Sequence, residues 1–142
     1  MSVNWQPGAT VTLPAAITLL QGLKARLSRS LAAPLQDKPP QVIDVVFEPA
    51  SPPAAPSPQN VFVLDGRTSA SPQTLSWITD DPASTLSKTM VNGGRVVVRI
   101  NCSFLFDAKN RMFSPSLDSI LALTSLRLPG GVCETFFFVQ PG

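Results

Sequence analysis

Residues 95–106 read RVVVRINCSFLF, and Val96, Val98, Ile100, Cys102, Phe104 and Phe106 all fall on one parity of that run. Side chains alternate across a strand with period two, so the run predicts a strand over 95–106 with one apolar face. Its other face carries Arg95, Val97, Arg99, Asn101, Ser103 and Leu105. Any fold for this chain must therefore contain a sheet, and the other elements must pack against it.

Residues 42–48, VIDVVFE, set Ile43, Val45 and Phe47 against Asp44, Val46 and Glu48, which predicts a second, half-buried strand. Residues 49–59 hold five prolines and no charge, so they predict a stiff, unpaired connection. A third strand is expected over 60–64, closed by an Asp65-Gly66 turn. The Ser/Thr/Pro-rich stretch beyond it is expected to be irregular, pinned to the core by Leu75, Trp77 and Ile78. Asp80-Asp81-Pro82 predicts a short helix capped by Asp81 and running to Met90, with Asn92-Gly93-Gly94 ending it. Asp107 and Asn110 suit a tight turn, followed by a short arm at Arg111, Met112 and Phe113, and Ser114-Pro115 predicts a short helix to Leu123. Residues 132–140, VCETFFFVQ, give a closing strand; with Phe136, Phe137 and Phe138 consecutive, both of its faces meet apolar material.

One substantial helix is predicted over 12–33. Thr12 serves as its N-cap, Pro14 lies in the first turn, and Ile17, Leu20, Leu23, Leu27 and Leu31 recur at three- and four-residue steps. Lys24, Arg26 and Arg29 crowd its last turns, where cations oppose the negative end of the dipole, and Gly22 is its weak point. The expected class is α+β: a mainly antiparallel sheet, one long N-terminal helix packed on a face, and one or two short helices, all in a single domain spanning 1–142.

The chain has no histidine, no tyrosine and only two cysteines, which removes the usual proton shuttle and most nucleophile-base pairs. Lys24, Lys38, Lys88 and Lys109 sit in no Ser-Lys motif; Asp80-Asp81 beside Pro82 reads as a helix start rather than a catalytic pair. Cys102 and Cys133 form no metal-ligand spacing, and Gly93-Gly94 and Gly130-Gly131 lack a phosphate-loop context. No catalytic residue, cofactor or metal is therefore expected, and the two thiols are expected free and buried.

Charged residues are 14% of the chain, against a usual share of about 25%, which leaves a surface poorly protected against association. The expected partner is protein, above all a second copy of the chain, in a dimer or larger assembly. Arg95 and Arg99, on one side of a strand and about 13 Å apart along it, are the candidate partner-binding residues. Scattered basic residues argue against nucleic acid, and the apolar stretch 13–23 is too short for a membrane span. The expected address is cytoplasmic. The rival expectation is a small-ligand-binding or enzymatic domain with a pocket between sheet and helix, relying on Asp, Lys or Arg.

Overall fold

The computed structural model describes residues 2–50, 61–113 and 131–141. Two sheets pack face to face. Sheet A has the order β1-β3-β7-β6, from β1 (Ser2–Val3), β3 (Leu23–Arg26), β7 (Thr74–Thr79) and β6 (Gly66–Ser71). Sheet B has the order β2-β9-β8-β4-β5, from β2 (Thr10–Val11), β9 (Val132–Val139), β8 (Gly94–Asn101), β4 (Ile43–Pro49) and β5 (Phe62–Leu64). All described pairings are antiparallel except β2 with β9. Among the described residues, three short helices, α1 (Leu13–Leu20), α2 (Ala33–Asp37) and α3 (Ala83–Thr89), lie in the connections.

This β-sandwich overturns the α+β expectation, and the N-terminal helix is where the two part. Thr12 does cap α1, its Oγ1 accepting from the Ala15 N–H at 3.3 Å, but the helix stops at Leu20. From Leu23 the chain is a strand: Leu23, Ala25 and Leu27 are buried while Lys24 and Arg26 are exposed. Leucines at 20, 23, 27 and 31 satisfy a helical stripe, yet the short stretch 23–27 equally satisfies period two, and a glycine inside a helix costs about 1 kcal/mol relative to alanine. Gly22 therefore divides the segment, and Leu23 and Ala25 pair opposite Trp77 and Leu75.

The stretch expected to be irregular is a β6–β7 hairpin. Ser69, Ser71, Thr74 and Ser76 lie on the outer face while Leu75 and Trp77, with the buried Thr68 opposite Trp77, fill the inner one, and β-branched threonine suits a half-buried strand. Asp65-Gly66 does not fold the chain back; it carries β5 of sheet B directly into β6 of sheet A. Only glycine fits there, because a Cβ at Gly66 would overlap the Trp77 indole and stand 2.8 Å from the Ile78 carbonyl.

The core lies between the sheets. Leu23, Ala25, Leu75 and Trp77 from sheet A meet Val45, Phe47, Val96, Val98, Ile100 and Phe137 from sheet B, and Leu20 of α1 and Leu86 of α3 join the same cluster. The long strand ends earlier than its alternation predicts. β8 stops at Asn101, whose Oδ1 accepts from the Ser103 N–H at 3.0 Å, and residues Cys102–Phe104 form one 3₁₀ turn. The turn breaks the parity, so Phe104 is 59% exposed and Leu105 is fully buried, the reverse of the assignment from sequence. Pro82, rather than Asp81, holds the N-cap position of α3. The connection beyond Ala50 and the helix expected from Ser114 fall outside the described residues.

Candidate functional site

The outer face of sheet B carries the two arginines singled out by the sequence, in three rows across the strands. Register sets Glu48, Arg95 and Phe138 in one row, Val63, Val46, Val97 and Phe136 in the next, and Asp44, Arg99 and Glu134 in the third. Arg95 Nε donates to Glu48 Oε1 at 2.7 Å, and its guanidinium lies 5.0 Å over the Phe136 ring, which meets Phe138 edge to face. Arg99 Nε donates to Glu134 Oε2 at 2.8 Å. Both arginines thus share a face as read from sequence, but each is engaged by a carboxylate of a neighbouring strand. An acidic partner would have to displace Glu48 or Glu134. Exposed pairs of this kind contribute only about 0–1 kcal/mol, so their main effect is to level the charge of the face.

The edges of the sheets are unequal. β1 and β2 are two residues each. β6 is longer, but α2 packs against it, and the Gln41 amide takes both backbone groups of Thr68, accepting from its N–H at 2.9 Å and donating to its carbonyl at 3.3 Å. A side chain thereby stands where a further strand would add, one of the ways proteins protect an edge. β5 has β4 on one side and no strand on the other among the described residues. Val61, just before the strand, and Phe62 and Val63 within it are 44%, 49% and 75% exposed. The sequence predicted this strand but not its place at an edge; the proline-rich run just before it was the available signal, since proline borders edge strands rather than central ones.

Two groups that invite a chemical reading are structural. Asp107 is buried, and its Oδ2 accepts from Arg29 Nε at 2.7 Å and Arg111 Nε at 2.9 Å, while Oδ1 accepts from the Lys109 and Arg111 backbone N–H groups, each at 2.9 Å. Burial pushes its carboxyl up, but these four donors outweigh burial and hold it well below the usual carboxylate range. Arg29 also lies 4.7 Å over the Phe113 ring, so the cluster pins the loop after β8 to the segment after β3. Cys102 and Cys133 are free and buried. Burial, with the neighbouring Cys133, pushes the Cys102 thiol up to about 12, and burial pushes Cys133 to about 11. A thiol in that range is protonated at neutral pH and is a poor nucleophile.

No protein-family model matches this chain, and no curated protein matches it. Among solved structures it resembles the crystal structure of PcoC, a copper resistance protein from Escherichia coli, with a TM-score of 0.50 and 12% sequence identity over 98% of this chain and 96% of PcoC. At that identity the likeness is one of fold, and it agrees with the two-sheet architecture.

Proposed function

We propose that the protein is a non-enzymatic association module that pairs with a second copy of itself along the edge of β5 that no described strand covers. The observation that carries this reading is the apolar run Val61, Phe62 and Val63, exposed just before and within β5, an edge strand among the described residues, while Gln41 and α2 shield the edge of β6. Exposed apolar edges are templates for strand addition. A second copy is the occupant favoured by charge: β5, FVL, carries none, so an antiparallel pair about a two-fold axis sets no like charges opposite one another. A charged peptide would find no complementary group on the strand itself. The low charge of the whole chain adds to the tendency to associate.

The copper role in the description of PcoC is that protein's; this chain has no histidine, and its soft donors are three methionines and two cysteines, both cysteines buried. Light scattering tests the proposal. The wild type is expected at twice the chain mass at high micromolar concentration, and Val63→Lys at the monomer mass with an unchanged circular dichroism spectrum. A monomeric wild type under those conditions would remove the proposal.

A further inference from the structure

The outer face of sheet A differs in chemistry from that of sheet B. Its four strands hold Lys24, Arg26 and Arg67 and no carboxylate. Register sets Lys24, Ser76 and Ser69 in one transverse row and Arg26, Thr74 and Ser71 in the next. Arg67, beside Ile78, is engaged by Asp80 at 3.2 Å. Lys24 and Arg26 meet no carboxylate within ion-pair distance among the described residues.

Where this face meets the end of α1, a depression of about 550 Å³ opens, lined among others by Asn4, Gln21, Lys24, Ser69, Ser76 and Ile78. Asn4 fixes its rim: the side chain accepts from the Lys24 N–H at 2.9 Å and donates to the Gly22 carbonyl at 2.9 Å. The Ser69 and Ser76 hydroxyls and the Gln21 amide make no side-chain hydrogen bond with another described residue, so their capacity is available. Ile78 is half exposed and offers an apolar wall. The volume is that of small-ligand sites, which combine such a wall with a few polar groups.

We propose that this depression binds a phosphate or sulfate monoester of a sugar. The ester oxyanion lies against Lys24 Nζ, with Arg26 adding to the positive field; the sugar hydroxyls bond to Ser69, Ser76 and Gln21, and a C–H face of the ring rests on Ile78. The site needs one cation for the ester and several neutral donors and acceptors for the body, and the depression supplies both with no carboxylate in its lining to repel the anion. It is independent of the β5 edge.

Calorimetric titration with glucose 6-phosphate, glucose 6-sulfate, glucose and inorganic phosphate tests it. At least one of the two esters is expected to bind, and which one binds more tightly identifies the ester. Lys24 is exposed, so Lys24→Gln should fold normally by circular dichroism and weaken the ester by about tenfold or more, the loss expected for a charge-assisted contact. Ser76→Ala should weaken the ester while leaving any binding of inorganic phosphate unchanged. Binding of neither ester, equal binding of inorganic phosphate or glucose, or full affinity in Lys24→Gln would each overturn the proposal.

Discussion

Asp107 holds its loop through four donors, and its ionisation is therefore tied to folding. Its carboxyl is lowered in the folded state, so the contribution is present above the ordinary value near 3.8 and is lost as pH falls below it. Asp107→Asn is expected to lower the urea midpoint at neutral pH, and the gap from wild type should close as the pH is lowered through that range. The thiols run the other way. Both are raised above an ordinary 9.0, so the folded state keeps its protons while the unfolded chain loses them, and stability should fall as pH rises from about 9 toward 12. A Cys102→Ala, Cys133→Ala variant should show a flatter alkaline limb, and alkylation of the wild type near pH 8 should keep pace with unfolding rather than with reagent. Phe104 and Leu105 give the sharpest contrast: Phe104→Ala should change stability by no more than about 0.5 kcal/mol, and Leu105→Ala should cost about 2–5 kcal/mol. Equal denaturant midpoints for the two would show that the 3₁₀ turn does not break the strand's parity.

At the level of elements, the strands were legible wherever two parities differ in polarity. Ile43, Val45 and Phe47, and Val96, Val98 and Ile100, are buried as the alternation requires. Strands whose outer positions are serine and threonine were not, because β6 and β7 share their composition with loops. The stretch from Leu13 to Leu31 misled for a different reason: its leucines fit two periods, and the choice fell to Gly22 and to the partner strand β7, which no local pattern contains. The 3₁₀ turn rests on one Asn101 side chain, also invisible to periodicity. Of the candidate site, Arg95 and Arg99 were placed on the correct common face, but their carboxylate partners come from β4 and β9, strands distant in sequence. The passage between sheets makes its own prediction. Gly66→Ala should lose about 1–3 kcal/mol through overlap with Trp77, a chevron or urea midpoint being sufficient to see it. Thr68, two residues on, has a buried hydroxyl with no hydrogen-bond partner among the described residues, so Thr68→Val should leave stability unchanged or raise it.

For the molecule as a whole, the two outer faces are electrically distinct. The strands of sheet A carry three cations, whereas sheet B sets Asp44, Glu48 and Glu134 against Arg95 and Arg99. This asymmetry bears on how two copies meet. Stacking sheet B faces about an axis along the strands would put Asp44 against Glu134 and Arg99 against Arg99, and like charges opposite one another are destabilising. Edge-to-edge pairing at β5 avoids that conflict and leaves the depression on sheet A open. Hydrogen exchange of the β5 backbone at two protein concentrations measures this directly. The Phe62, Val63 and Leu64 amides that point away from β4 should be protected at high micromolar concentration and should exchange freely on dilution to the monomer. Protection that stays the same while the mass changes from dimer to monomer would place the contact elsewhere and contradict the account.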